Sequence, residues 1–161
     1  MVENLSEDKP QSLLERIIHK RGLSLEGLET GIEALPDESL LANIEKGATR
    51  IKKAMYDNEP IVIFGHDDPD GITSTYILYQ FFNACGFQNH RYFIPNRNLE
   101  PYGIQDSLID FVKKDNYQLV ITVDNGIASF EGVEKLREIG CETLITDHHL
   151  IQPDKLPNAY T

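Results

Sequence analysis

From Ile61 onward, short apolar runs alternate with stretches that read as helices, and three of those runs stop at carboxylates and imidazoles. "IVIFG", starting at Ile61, reads as a buried strand, and "GITSTYILYQFFNACG" as a helix ending at Gly86. "HRYFIPN" is a second strand; "YGIQDSLIDFVKKDN" is a helix with Ile104, Leu108, Phe111 and Val112 facing inward. "QLVITVDNG" is a third strand, "ASFEGVEKLREIG" a third helix and "CETLITDHHL" a fourth strand. Strands separated by helices of about a dozen residues predict βαβ units. The fold class is therefore α/β: an open, mainly parallel sheet covered by helices on both faces.

The residues before Pro60 read differently. In "PQSLLERIIHKRG", Leu13, Leu14, Ile17 and Ile18 recur at helical spacing. Ser12 is an N-cap with Glu15 three residues on, a capping-box pattern, and Gly22 is a stop. Leu23 to Pro36 reads as turn-rich or short helical chain. A longer helix is predicted from Ser39 to Asn58, with Leu40, Leu41, Ile44, Ala48, Ile51 and Met55 on one apolar stripe. Residues 1–59 thus form an N-terminal helical segment expected to pack on the core, and residues 60–161 the α/β domain. The closing "IQPDKLPNAYT" has no terminal helix or polar tail and reads as the end of a fragment of a longer protein.

Composition narrows the function. No apolar run approaches the roughly 20 residues that span a bilayer, and the N-terminus lacks the basic and apolar regions of a secretory signal. Cys85 and Cys141 stand far apart in no CxxC pattern and read as reduced thiols of a cytoplasmic protein. The formal net charge of −11 argues against binding polyanions over the whole surface. It leaves room for a nucleic-acid substrate at a local site, where cations neutralise the carboxylates.

The three polar clusters are His66-Asp67-Asp68-Pro69-Asp70-Gly71, Asp124-Asn125-Gly126 and Asp147-His148-His149. In an open α/β sheet, ligands bind at the carboxyl ends of the strands. Each cluster taken alone also reads as a polar turn or a helix cap. All three at strand ends converge on one place. No nucleophile elbow surrounds Thr73 or Ser74, and neither a phosphate-loop nor a dinucleotide pattern follows the first strand. Carboxylates mixed with imidazoles suit Mn²⁺ or Mg²⁺. The ligands are too many for one tetrahedral ion and suit two ions roughly 3.5–4 Å apart, as in phosphoester-cleaving enzymes. Such ions would also relieve the mutual repulsion of the carboxylates.

"HDDPDG", "VDNG" and "DHH" resemble the first three signature motifs of the DHH phosphoesterase superfamily. From about Leu13 to the end, "LLERIIHKRGLSLEGLE", "GITSTYILYQFF", "YFIPNR", "YGI" and "ITVDNGIAS…TDHHL" resemble the RecJ single-strand-specific exonucleases in order and spacing. The resemblance implies an N-terminal catalytic part of a divalent-metal-dependent exonuclease of DNA repair and recombination. Such an enzyme cleaves phosphodiester bonds of single-stranded DNA from 5′ to 3′ by a two-metal mechanism. It implies two Mn²⁺, with Mg²⁺ as the substitute: one on His66, Asp68 and Asp124, the second on Asp70, Asp124 and His148. His149 would contact the scissile phosphate or assist the leaving group, and Asp147 would orient the neighbouring imidazoles. Asn96 and Arg97 would lie near substrate phosphates. Gly71 and Gly126 allow tight strand-to-helix turns. Partners implied are single-stranded DNA or a short oligonucleotide, together with single-strand-binding or replication and repair proteins, and no membrane.

Two departures stand beside this. The common bacterial RecJ pattern has Asp where this chain has His66. Histidine there resembles archaeal nucleases, small-oligonucleotide phosphodiesterases and manganese pyrophosphatases of the superfamily. The alternative reading is thus a phosphodiesterase or phosphatase acting on short oligonucleotides, cyclic dinucleotides or pyrophosphate; a non-catalytic replication scaffold is the third. The family's fourth motif, with a further metal-binding Asp, and its substrate-clamping second domain are not found in these 161 residues. The fragment alone is accordingly expected to be weakly active or inactive.

Overall fold

The computed structural model describes residues 12–24, 31, 35–151 and 156–160. Most of the turn-rich stretch before Pro36 and part of the closing "IQPDKLPNAYT" lie outside these. The chain divides into two compact units, 1–40 and 41–161. In the first, helix α1 spans Leu13–Lys20. The Ser12 hydroxyl accepts from Glu15 N–H at 3.1 Å, while the Glu15 carboxylate accepts from Ser12 N–H at 2.6 Å. That is the capping box read from the sequence, and Gly22 ends the helix at φ +67°.

The second unit is a four-stranded, all-parallel sheet. Its strands are β1 (Ile61–Phe64), β2 (His90–Phe93), β3 (Leu119–Val123) and β4 (Glu142–Thr146). They lie in the order β2-β1-β3-β4. The helices are α2 (Ile44–Tyr56), α3 (Pro69–Ala84), α4 (Asp106–Asp115) and α5 (Phe130–Glu138). β1 is apolar throughout and β3 is apolar but for the buried Thr122, because both their faces are covered, and their period of two sorts the side chains. Ile61, Ile63, Leu119, Ile121 and Val123 pack with Ala54 of α2 and Phe82 of α3. Val62, Phe64 and Val120 pack on the other side with Leu108 and Val112 of α4 and Val133 and Leu136 of α5. This is the predicted doubly covered parallel sheet.

The helix predicted over Ser39–Asn58 is divided. A short 3-10 turn covers Glu38–Leu40, and α2 begins only at Ile44, after Asn43 at φ +58°. Leu40 and Leu41 are exposed, so the inward stripe is reduced to Ile51, Ala54 and Met55. Arg50 fixes this orientation of α2. Its Nη2 meets Glu59 Oε2 at 2.6 Å and its Nε meets Glu142 Oε2 at 2.7 Å, which holds that helix face toward the sheet. α2 therefore lies in the same compact unit as the sheet, although the sequence grouped it with the N-terminal segment.

Candidate metal centre

The strand order places the carboxyl ends of β1 and β3 side by side, with β2 beyond β1 and β4 beyond β3. This is the switch point at which open α/β sheets bind ligands. β1 stops at Phe64 and delivers His66 to Asp68; β3 stops at Val123 and delivers Asp124; β4 stops at Thr146 and delivers Asp147 to His149.

Local chemistry fixes each turn. Asp68 is the N-cap of α3, its Oδ1 accepting from Gly71 N–H at 2.9 Å, and Pro69 opens the helix. That N–H is the main reason the Asp68 carboxyl titrates below its usual range. Gly71 is required by close approach, since its φ is not positive: a Cβ there would stand 2.5 Å from His66 Cβ and 2.6 Å from its carbonyl oxygen. Asp124 has φ +60°, and Gly126 has φ +107° with Thr122 against its Cα. Asp tolerates the left-handed region better than most residues, and Gly is unrestricted there. Asn125 Nδ2 donates to the carbonyls of Phe64 at 3.3 Å and Val123 at 3.0 Å, joining the ends of β1 and β3. Thr122 Oγ1 donates to the Asn125 carbonyl at 2.7 Å.

Among the described residues, two groups bring three ligand atoms within 4.8 Å of one another: His66, Asp68 and Asp124, and Asp124, His148 and His149. Asp124 is common to both. His66 Nδ1 stands 3.0 Å from Asp68 Oδ2, yet it is buried and has no hydrogen-bond partner. His148 Nε2 stands 3.0 Å from Asp124 Oδ1. Adjacent ligands of a small octahedral divalent cation, with bonds of about 2.1 Å, stand about 3.0 Å apart. The spacing, the unpartnered nitrogen and the mixture of carboxylates with imidazoles all fit such an ion.

Asp147 lies behind the imidazoles, its side chain 1% exposed. Oδ1 accepts from His149 Nδ1 at 2.6 Å and from the backbone N–H groups of His148 and His149; Oδ2 accepts from Ile127 N–H at 3.0 Å. Burial alone would raise its pKa, but these donors outweigh burial and hold the carboxyl below its usual range. The same contact holds His149 above the ordinary imidazole value. With Nδ1 engaged on Asp147, His149 has Nε2 available for a ligand.

Asp70 belongs to neither group. It is exposed in the first turn of α3, one residue past Pro69. Arg97, 65% exposed, meets Asp67 Oδ2 through Nε at 2.7 Å. Asn96 is exposed and accepts from Asn98 N–H at 3.0 Å.

Tyr102 was not singled out by sequence reasoning. Its hydroxyl donates to the Asp124 carbonyl at 3.1 Å and lies 3.5 Å from His149 Nδ1. Its ring stands edge-on to His66 at 5.0 Å and to His149 at 5.8 Å between centroids. Burial, followed by the charges of Asp147, Asp124 and Asp68, pushes its pKa up to about 12, so the phenol stays a donor. The signal was the "YGI" stretch after "IPNR", which a helix assignment absorbed; α4 starts only at Asp106.

The fold and the site define a parallel α/β domain with a carboxylate–imidazole centre at its switch point. The model of the DHH family, N-terminal domain, matches residues 60–161, and the chain belongs to that family. It is similar to the single-stranded-DNA-specific exonuclease RecJ of Escherichia coli, 35% identical over 148 residues, which are 91% of this chain and 26% of that protein. It is 34% identical to RecJ of Bacillus subtilis over 119 residues, 74% of this chain and 15% of that one. A crystal structure of exonuclease RecJ bound to manganese matches 78% of this chain and 31% of its own, with a TM-score of 0.68 and 30% identity. RecJ from Thermus thermophilus in complex with Mn²⁺ matches 88% and 19%, with a TM-score of 0.64 and 26% identity. The chain thus spans about a quarter of the length of the E. coli relative.

Proposed function

We propose that this chain is the metal-binding catalytic part of a single-strand-specific DNA exonuclease that works 5′ to 3′ with two Mn²⁺ ions. The observation that carries the reading is Asp124, whose carboxylate belongs to both ligand groups and can bridge two ions. When bound, the ions supply Lewis-acid charge at the scissile phosphate and lower the pKa of water. His66, Asp68 and Asp124 would hold the first ion. Asp124 and His148 would hold the second, with Asp70 of the first turn of α3 as its further ligand. Asp147 keeps the His149 proton on Nδ1, so that Nε2 faces the scissile phosphate. Tyr102 holds the Asp124 carbonyl and thereby the turn that aims the bridging carboxylate. Arg97 uses only Nε on Asp67, and its Nη groups bond no described residue, which leaves them for a substrate phosphate. The free thiols Cys85 and Cys141 accord with a reducing cytoplasm.

The test has two parts. Calorimetric titration with Mn²⁺ should give two binding events in the wild type, with Asp124→Asn weakening both; equal affinity in the two proteins defeats the bridge. Labelled oligonucleotides blocked at one end or the other, incubated with Mn²⁺, should be shortened only from a free 5′ end, and single strands should be preferred over duplex. His149→Ala should lower turnover far more than Mn²⁺ affinity. The reverse pattern makes His149 a metal ligand and removes Asp70 from that role. The second reading, a phosphodiesterase of short oligonucleotides, cyclic dinucleotides or pyrophosphate, rests on His66 as a first-motif ligand. Faster turnover of a dinucleotide or pyrophosphate than of a long single strand decides for it.

A further inference from the structure

Asp67 lies between two proposed ligands and is not one itself. Its side chain is 19% exposed, and its two oxygens have different surroundings. Oδ2 accepts from Arg97 Nε at 2.7 Å. Oδ1 is buried and makes no hydrogen bond, yet it stands 3.5 Å from His66 Nε2. The opposite ring nitrogen, His66 Nδ1, faces Asp68 Oδ2 at 3.0 Å, on the side of the bridging Asp124. The two nitrogens of one imidazole thus face two different carboxylates, one within the ligand group and one outside it.

We infer that Asp67 is a positioning residue for His66, holding its proton on Nε2 so that Nδ1 is free to ligate, and that Arg97 locks Asp67 in that orientation. The inference rests on the metal centre proposed above. A ligating nitrogen must be unprotonated, so the single proton of the neutral ring belongs on the other nitrogen. An N–H there needs an acceptor, and a carboxylate behind a ligating histidine is the usual one. The 3.5 Å separation exceeds the roughly 3.2 Å of a formed bond, and the inference requires it to close when Nδ1 ligates. Oδ1 has no other partner to give up. Tyr102 packs edge-on to the His66 ring, 5.0 Å between centroids.

The experiment compares wild type, Asp67→Ala, Asp67→Asn and Arg97→Gln by calorimetric titration with Mn²⁺. ¹⁵N-histidine NMR with Mg²⁺ as the diamagnetic probe reports the His66 tautomer. Asp67→Ala should raise the Mn²⁺ dissociation constant about 10- to 100-fold, the cost of losing such a carboxylate partner. Asp67→Asn keeps one acceptor for the ring and should fall between; Arg97→Gln should cost about 3-fold, as an exposed pair does. Melting temperatures in chelator should match across the set, which separates positioning from folding. The wild type should show the Nε2–H tautomer. Unchanged affinity in Asp67→Ala, or an Nδ1–H tautomer in the wild type, overturns the inference while leaving the metal centre standing. A wild type that binds no Mn²⁺ overturns both.

Discussion

At the amino ends of β1 and β4, Glu59 and Glu142 share Arg50, with Lys53 Nζ a further 3.2 Å contact to Glu59. At the carboxyl ends of the same strands and of β3, Asp67, Asp68, Asp124 and Asp147 gather with three imidazoles. Among the described residues, the only Lys or Arg paired with that second set is Arg97. Each end contains a buried carboxylate, Glu59 at one and Asp124 at the other, but only Glu59 is paired with Arg and Lys of the chain itself. The contrast teaches where the chain leaves carboxylates free to take a cation. The amino end is a structural clasp between α2 and the sheet, and the carboxyl end is arranged for positive charge that its own side chains do not provide.

The largest expected effect breaks the amino end. Arg50→Ala leaves Glu59 buried without its main partner and should cost about 3 kcal/mol of unfolding free energy in urea denaturation. Mn²⁺ affinity should not change. A parallel loss of affinity would show that the two ends are not independent. At the other end, Asp124→Asn should weaken Mn²⁺ binding about 100-fold, or about 2.7 kcal/mol, measured by calorimetry. Its stability in chelator should not fall, because Asn also tolerates the left-handed backbone seen at φ +60°. Gly71→Ala sharpens the link between backbone and site. The added methyl meets His66 backbone atoms and should cost about 2 kcal/mol in thermal unfolding, with a concurrent loss of Mn²⁺ affinity.

The smallest effect concerns pH at the amino end of β2. His90 is buried beside Tyr79, Phe82 and Phe87, and neither ring nitrogen has a hydrogen-bond partner. Burial, seconded by the neighbouring Arg91, holds its pKa below the usual imidazole value. The unfolded chain then binds a proton at His90 near pH 6.5 that the folded chain binds only at lower pH. Stability from this group is therefore full above about pH 6.5 and is lost as pH falls through the folded pKa. Urea midpoints measured in chelator from pH 8 to 5 should decline less in His90→Phe than in wild type. Identical slopes would remove His90 as the cause.

Much of this was legible in the chain. The strands and helices after Pro60 form where the apolar runs placed them, except that the helix read from Tyr102 begins only at Asp106, which leaves Ile104 in the loop before it. The apolar pattern starts the helix at Gly71, two residues after α3 begins at Pro69. The signal was present in Asp68 followed by Pro69, an N-cap and a first-turn proline. The break of the second predicted helix at Asn43 was not legible from its stripe, since Leu40 and Leu41 continue the period but remain exposed.

The sequence by itself determined the residue types at each strand end and, through the alternation of strands with helices, that those ends share one edge. Tertiary structure decided the rest. The order β2-β1-β3-β4 made Asp124 the neighbour of both His66 and His148. The cap of α3 turned Asp68 toward His66 and left Asp70 in the exposed first turn. The loop before α4 brought Tyr102 against two imidazoles. The reason is physical: periodicity and turn chemistry act within a few residues, whereas ligand geometry depends on which strands are adjacent and how each turn leaves its strand.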